Sequence, residues 1–160
     1  MIFVTAGTQE PFDRLLQVID VIAADLKDTT FIVQALQAKY VPKNIKVLHL
    51  IPHAEFKQHM DDAKLIISHA GMGTIITALE KRKPIIVIPR LLKYHEHRNE
   101  HQLATAKKMD ELGYVDVAYD EDELIAKVKD MWPDKLQSRN AIGNIASETL
   151  IKSITDFIKY

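Results

Sequence analysis

The sequence predicts an α/β fold, a Rossmann-like parallel sheet with helices on both faces. Short apolar runs alternate along the chain with longer segments whose apolar residues recur at helical spacing. Several of the short runs are apolar throughout, as is typical of strands that are covered on both faces of a parallel sheet. The chain has 160 residues, of which 47% are hydrophobic, so we expect one domain with a full core over residues 1–160.

The first part of the chain is predicted to contain three strands and two helices. The strands cover residues 2–6, 30–34 and 45–51, and a short helix is expected over residues 52–61. A longer helix between the first two strands is indicated by apolar residues at helical spacing, namely Phe12, Leu15, Leu16, Ile19, Ile22, Ala23 and Leu26.

The central stretch, LIISHAGMGTIITALEKRKPIIVIP over residues 65–89, predicts a strand, a loop, a helix and a second strand. The loop over residues 68–74 ends where the helix begins, so backbone N–H groups and the helix dipole favour an anion there, typically a phosphate. We expect Gly71 and Gly73 to let the backbone approach that anion closely, because neither has a Cβ atom. Thr74 adds a hydroxyl donor. The alternative is a glycine turn that only packs the helix onto the sheet.

The last part of the chain begins with a polar segment, RLLKYHEHRNEHQ over residues 90–102, which leads into a helix closed by Gly113. A strand over residues 114–118 and a helix over residues 120–131 follow. A C-terminal amphipathic helix, which either caps the domain's own core or helps to dock a partner, is indicated by Ile142, Ile145, Leu150, Ile154, Phe157 and Ile158.

Three loops are expected on one rim of the sheet, because ligands of such sheets lie beyond the carboxyl ends of the strands. They are the turn Gly7-Thr8 after the first strand, the loop over residues 68–74, and the segment that follows Pro89. The first turn lacks the G-x-G-x-x-G fingerprint of dinucleotide-binding folds, and the chain has no Walker A sequence. The rim is therefore predicted to hold a ligand of another kind.

Composition excludes several classes of protein. The formal net charge of -1 gives no electrostatic reason to expect a nucleic acid partner. The absence of cysteine fits a reducing cytoplasm. We see no signal peptide and no run that approaches the roughly 18 apolar residues of a membrane span. The expected location is therefore the cytoplasm.

The motif SHAGMGT, followed by a helix and KPIIVIP, resembles the donor-binding half of the GT-B glycosyltransferases. It most resembles the family-28-like group, which includes the soluble subunit of two-subunit N-acetylglucosaminyltransferases and bacterial capsule or exopolysaccharide transferases. The expected fold is then of the GT-B C-terminal-domain type, with the whole chain as one donor-binding domain.

The resemblance implies donor-binding residues in all three loops. His69 lies where the family has a histidine or similar polar residue near the donor phosphates, so it is the predicted catalytic residue, stabilising the departing nucleoside diphosphate. Gly7 and Thr8 match the family's first glycine-containing loop, and Glu100 and Gln102 its acidic–His–Gln signature. The structural alternatives are a tight first turn and a packing role for the histidine. The complete predicted donor-binding set is Gly7, Thr8, Ser68, His69, Gly71, Met72, Gly73, Thr74, Glu100 and Gln102.

The chain departs from the family pattern at two positions. Thr77 stands where family members commonly have a glutamate proposed to bind the ribose hydroxyls. Glu80 lies nearly a turn further along the helix, so no ribose role is assigned to it. Asn99 replaces the first acid of the acidic–His–Gln signature.

A zinc site is the rival interpretation of the histidines in the polar segment. His97 and His101 are four residues apart and could share one face of a helix, with His95 and Glu96 nearby. However, the chain has no H-E-x-x-H motif and no cysteine, and GT-B enzymes generally work without a bound divalent metal. We therefore expect neither a metal nor another cofactor.

The resemblance implies a UDP-sugar-dependent, inverting transfer of a hexose to a lipid-linked saccharide in capsule or exopolysaccharide synthesis. It covers only the donor-binding half, so a membrane-anchored partner subunit is expected to bind the acceptor and hold this chain at the inner face of the membrane. We recognise no general base. One alternative is a non-catalytic accessory subunit that stabilises or enhances a partner glycosyltransferase. Another is a hydrolase or epimerase acting on sugar nucleotides, although no nucleophile elbow or catalytic triad is present.

Overall fold

The computed structural model describes residues 1–140 and 142. Within that part of the chain, the strands are β1 (Ile2–Thr5), β2 (Phe31–Gln34), β3 (Val47–Leu48), β4 (Leu65–His69), β5 (Ile85–Ile88) and β6 (Asp116–Val117). They form one sheet in the order β3-β2-β1-β4-β5-β6, and every neighbouring pair is parallel. The predicted fold class is confirmed.

Helices cover both faces of this sheet. They are α1 (Asp13–Asp25), α2 (His53–Asp62), α3 (Met72–Glu80), α4 (His101–Glu111) and α5 (Glu121–Met131), with a short 3₁₀ turn at Leu92–Tyr94. Buried residues of α1 and α5 pack against one face of the sheet, and those of α2, α3 and α4 against the other.

The apolar strands serve both layers at once, because successive side chains of a strand point to opposite faces. In β1, Val4 belongs to the α1–α5 layer and Phe3 to the α2–α3–α4 layer, and both are fully buried. In β4, Ile67 and Ile66 divide in the same way. Because both faces of these strands are buried, polar and apolar residues do not alternate along them, and their sequences are continuous apolar runs.

The chain follows a Rossmann-type order that creates a crevice. From β1 the chain builds outward to β2 and β3 on one side, and then returns to place β4, β5 and β6 on the other. The helices that follow β1 and β4 therefore lie on opposite faces, and the loops at the carboxyl ends of these two strands diverge. Ligands of open α/β sheets bind at this position.

Two local predictions can be compared with the structure. Gly113 closes α4 with φ +68°, and the N–H groups of Gly113 and Tyr114 donate to the carbonyls of Asp110 and Met109, both at 2.9 Å. This is a Schellman motif, so the predicted helix end is confirmed. The third strand, expected over residues 45–51, is limited to Val47–Leu48, because β3 lies at the sheet edge and pairs only with the end of β2. The predicted C-terminal helix lies outside the described residues, apart from Ile142.

Candidate functional site

A cleft of about 610 Å³ opens at the carboxyl edge of the sheet. The ends of β1, β2 and β4 and the segment after β5 all contribute to its walls. This volume falls within the usual range for small-molecule sites. The residues lining it are Thr5, Ala6, Gly7, Thr8, Gln9, Glu10, Gln34, Leu50, Ile51, His53, Phe56, His69, Gly71, Gly73, Thr74, Thr77, Arg90, His97 and Gln102.

The imidazole of His69, at the end of β4, lies between two glycines. A Cβ atom on Gly71 would come within 2.2 Å of its Nε2 atom, and one on Gly7 within 2.8 Å of its Cε1 atom. The Ser68 hydroxyl oxygen lies 3.3 Å from Nδ1. Gly71 therefore leaves space for the His69 ring, which differs from the predicted role of admitting an anion to the backbone. The two glycines together leave the space that the ring occupies in the cleft.

His69 is neutral at physiological pH. Burial lowers the pKa of its imidazole to about 4, helped by the positive charge of Arg90 and by His97, while the backbone of Thr5 acts in the opposite direction. A neutral imidazole carries one N–H donor and one acceptor nitrogen. His69 can therefore offer a hydrogen bond to a ligand without the cost of burying a second cation beside Arg90.

The N-terminus of α3 presents unused backbone donors to the cleft. Gly71 is the N-cap residue, and no side chain caps this end of the helix. Its amide donates to the His69 carbonyl at 2.8 Å, and the first helical bond runs from Ile75 to Gly71 at 3.2 Å. The amides of residues 72–74 therefore have no acceptor within the described part of the chain, so this end of the helix can bind an anion.

Gly73 and Thr74 stand at the opening of this donor group. A Cβ atom on Gly73 would meet nothing within 4 Å, so this glycine borders open space in the cleft. It therefore fits the predicted role of admitting a ligand close to the backbone. Thr77, one turn further along, also lines the cleft, and its hydroxyl donates to the Gly73 carbonyl at 2.8 Å.

Sequence analysis did not identify Arg90, which lies two residues after the end of β5 and is only 3% exposed. Its guanidinium donates to the carbonyls of Ala6 and Glu10, each at 2.6 Å. The Cζ atom lies over the Phe12 ring, 4.8 Å from the ring centroid. A signal was present, since an arginine at the carboxyl end of a wholly apolar strand is unusual. The sequence could not show which part of the chain it would contact.

Gln102 is placed in the cleft with half of its amide already engaged. Its Oε1 atom accepts a hydrogen bond from the Arg90 amide at 3.1 Å. The Nε2 group has no acceptor among the described residues, so it is the part of the side chain that can reach a ligand. Gln102 thus fixes the start of the segment after β5 and also borders the cleft.

The structure brings most of the predicted site residues together. Gly7, Thr8, His69, Gly71, Gly73, Thr74 and Gln102 all line the cleft. Three predicted residues do not. Ser68 is fully buried behind His69, and the side chain of Met72 is 43% exposed at the helix start. The Glu100 carboxylate accepts a hydrogen bond from the Leu92 amide at 3.3 Å.

The acidic residue of the rival zinc hypothesis is engaged elsewhere. Both carboxylate oxygens of Glu96 accept hydrogen bonds from Arg14, at 2.8 and 2.9 Å, and one also accepts from the Leu91 amide at 3.0 Å. Among residues 1–140 and 142, no group of three or more histidine, cysteine, aspartate or glutamate side chains could hold a metal ion. In the same range, no helix is both long and apolar enough to span a membrane.

Comparison with curated proteins reveals relatives among sugar-nucleotide transferases. The mouse (Mus musculus) UDP-N-acetylglucosamine transferase subunit ALG13 is 31% identical over 125 residues, which is 71% of this chain and 10% of the mouse protein. The Saccharomyces cerevisiae subunit of the same name is 36% identical over 92 residues, 57% of this chain and 44% of the yeast protein. The NDP-glycosyltransferase YjiC of Bacillus subtilis is 26% identical over 118 residues, or 63% of this chain and 27% of that protein. The chain thus spans less than half the length of these relatives.

Solved structures share the fold at lower sequence identity. The solution structure of ALG13 has a TM-score of 0.60 and 22% identity, covering 96% of this chain and 93% of that one. The UDP-GlcNAc 2-epimerase of Neisseria meningitidis, bound to UDP-GlcNAc, also has a TM-score of 0.60, with 16% identity, covering 97% of this chain and 43% of that one. The kitacinnamycin glycosyltransferase has a TM-score of 0.59 and 20% identity, and the match covers 83% of this chain and 35% of that one.

A family model described as the glycosyltransferase family 28 C-terminal domain matches residues 1–156, nearly the whole chain. The mouse and yeast relatives described above carry transferase names, in agreement with that match. The chain belongs to the glycosyltransferase family 28 C-terminal domain family.

Proposed function

We propose that this chain is the donor-binding subunit of an inverting, UDP-sugar-dependent glycosyltransferase. With a membrane-anchored acceptor subunit, it would transfer a hexose to a lipid-linked saccharide in capsule or exopolysaccharide synthesis. The chain would then work at the inner face of the membrane through that partner. Family membership supports the transferase class, and the relatives that are named as transferase subunits support the need for a partner.

The observation that carries the proposal is the constellation around His69. A neutral imidazole, the free amides of residues 72–74 and the open space beside Gly73 meet in one cleft. Oriented N–H donors at a helix N-terminus favour phosphate oxygens. A nucleoside diphosphate is therefore the leaving group that this cleft suits best.

The far end of the cleft suits the nucleoside. Leu50 and Ile51 after β3 and Phe56 in α2 line the cleft, and Leu50 is 74% exposed. An exposed leucine at the edge of a cleft offers an apolar surface that the flat face of a pyrimidine can cover. His53, at the start of α2, also lines the cleft and can offer a ring nitrogen to the base or ribose.

The chain's share of the chemistry would be electrostatic. As the sugar–phosphate bond breaks, negative charge builds up on the departing UDP. The His69 N–H and the α3 amides would stabilise that charge from fixed positions. Inversion also needs a base to take the proton of the acceptor hydroxyl. We identify no general base among the described residues that line the cleft, so we assign this role to the partner subunit.

Calorimetric titration with UDP tests the donor site. We expect saturable binding by the wild-type chain and at least about tenfold weaker binding by His69→Ala, since one hydrogen bond to a charged group contributes about 1.5–3 kcal/mol. His101→Ala is the matched control, because His101 is exposed at the start of α4 and does not line the cleft. Equal affinity of both variants and the wild type would contradict the assignment of His69.

The second candidate function is a non-catalytic accessory subunit, which Thr77 favours. This residue occupies the family's glutamate position and its hydroxyl is bonded to the Gly73 carbonyl. A donor subunit binds UDP, and UDP-sugar turnover in the complex with its partner is abolished by His69→Ala. An accessory subunit raises the activity of its partner to the same extent with or without His69. The sugar-nucleotide epimerase alternative shares the fold, but the family match favours the transferase.

A further inference from the structure

Arg90 is a buried cation whose guanidinium, among the described residues, donates hydrogen bonds to backbone carbonyls alone. Its Nη2 donates to the carbonyls of Ala6 and Glu10 and its Nη1 to the carbonyl of Pro11, each at 2.6 Å. Nη1 also donates to the backbone carbonyl of Glu96 at 3.3 Å. The first three carbonyls belong to the loop between β1 and α1. Arg90 follows β5, so a single side chain ties two walls of the cleft together.

Arg14, a second guanidinium in the same region, shows what is unusual about Arg90. Arg14 forms salt bridges with the carboxylates of Glu96 and Glu121, at 2.8 and 3.2 Å. Among the described residues, Arg90 has no salt bridge. The carboxylates of Glu10 and Glu96 are near enough to favour its charged form, yet burial still lowers its pKa. A cation that is buried without a carboxylate partner is costly unless another negative group completes its environment.

The charges of the lining residues indicate which kind of group could balance the charge of Arg90. Among the described residues that line the cleft, Arg90 is the single basic residue of the lysine or arginine type. Glu10 is the lining carboxylate, and His69 is neutral. A nucleoside diphosphate bound here would therefore meet one permanent positive charge, which is bonded to the β1–α1 loop and close enough to His69 to lower its pKa.

We propose that Arg90 is a positioning residue of the ligand site. Its guanidinium fixes the β1–α1 loop against His69, and its charge is completed by a diphosphate anion bound in the cleft. Because both of its Nη groups already donate to carbonyls, it acts on the ligand through this loop and through its field. The identification of the anion as the UDP part of a sugar donor rests on the proposed function.

Calorimetry with three ligands separates charge from general structure. UDP, inorganic pyrophosphate and uridine are titrated into the wild-type chain, Arg90→Lys, Arg90→Met and the control Arg98→Met. Arg98 is exposed in the same polar segment, so its variant has the same net charge as Arg90→Met. We expect Arg90→Met to weaken UDP and pyrophosphate at least about tenfold and uridine less than about threefold. Arg90→Lys should recover part of the loss, and Arg98→Met should behave as wild type.

NMR titration of the His69 imidazole gives a second measurement that needs no ligand. Removing the positive charge in Arg90→Met should move the His69 pKa from about 4 part of the way toward 6.5, while burial keeps it below that value. The Lys variant should leave it near 4. A His69 pKa that is the same in wild type and Arg90→Met overturns the proposal.

Three further results would also overturn the proposal. They are equal losses for UDP and uridine in Arg90→Met, unchanged UDP affinity in that variant, and wild-type protein that binds uridine as tightly as UDP. The last one is measured without any variant, so it decides the matter even if Arg90→Met does not fold. If wild type binds pyrophosphate in an Arg90-dependent way but gains nothing from the nucleoside of UDP, the Arg90 proposal stands and the proposed function fails.

Discussion

Two loops at this sheet differ in whether their backbone amides have hydrogen-bond acceptors. The loop between β4 and α3 leaves the amides of residues 72–74 without acceptors and faces a cleft. The loop between β2 and β3 is closed by a side chain of α1. The buried Asp20 carboxylate accepts hydrogen bonds from the amides of Lys43 and Asn44 and from the Tyr40 hydroxyl, at 2.6–3.1 Å. Free donors next to open space indicate a ligand site, whereas satisfied donors indicate a structural loop.

Removing the closure of the structural loop should have the largest effect on stability. Asp20→Ala leaves two amides and a hydroxyl without their charged acceptor, which should lower the free energy of unfolding by about 3 kcal/mol. Urea denaturation followed by circular dichroism measures this value. UDP affinity of the folded fraction should stay at the wild-type value, because Asp20 does not line the cleft. A loss of UDP binding larger than the unfolded fraction explains would contradict the separation of the two loops.

The same carboxylate makes the structural loop sensitive to acid. Burial raises the pKa of the Asp20 carboxyl, but hydrogen bonds from the amides of Lys43 and Asn44 and from the Tyr40 hydroxyl outweigh it and hold this pKa below its ordinary value. A carboxyl with a depressed folded pKa contributes stability above its unfolded pKa and loses it as the pH falls through the folded value. Wild type should therefore lose stability below about pH 4, and Asp20→Asn should lose less over the same range. Parallel curves of melting temperature against pH for the two proteins would disprove this.

The glycine behind His69 should affect both stability and binding. In Gly71→Ala the new methyl would lie 2.2 Å from the His69 Nε2 atom, so the ring must move. What moves is a side chain, so the cost in unfolding free energy should be about 1–2 kcal/mol. UDP affinity should fall at least about tenfold, as in His69→Ala, and the pKa of the displaced imidazole should rise from about 4. Wild-type affinity in Gly71→Ala would show that the position of the ring is unimportant.

The layered fold and the glycine loop could be predicted from sequence because they depend on local pattern. Each apolar run of β1, β4 and β5 and the change to helical spacing at α3 can be recognised within a short stretch of consecutive residues. The ring space left by Gly71 could not be predicted, since an absent Cβ atom does not reveal what fills its place. Arg90 and Asp20 could not be assigned partners either, because they contact residues up to 84 positions away through the folded sheet.

Gly73 separates ligand binding from packing. Gly73→Ala places its methyl in open space, so the unfolding free energy should change by less than about 1 kcal/mol, and alanine is itself the better helix former. UDP affinity should nevertheless fall about tenfold, because the methyl occupies the place where a phosphate approaches the α3 amides. Calorimetry and urea denaturation on the same preparation measure both effects. Unchanged UDP affinity would mean that the ligand does not approach this part of the helix.

The opposite end of α3 carries the smallest expected effect. Arg82 adopts a left-handed conformation with φ 52° in a Schellman motif, where its amide donates to Leu79 at 3.1 Å and that of Lys83 to Ala78 at 2.9 Å. Arg82→Gly removes steric strain of about 1–2 kcal/mol, but it also adds about 0.4–1 kcal/mol of chain entropy to the unfolded state. We therefore expect a net gain of about 0.5 kcal/mol by urea denaturation, with unchanged UDP affinity. Arg82→Ala is the control, because it removes the same exposed side chain and keeps the strain. If Arg82→Ala stabilises as much as Arg82→Gly, the effect belongs to the arginine side chain and not to the backbone conformation.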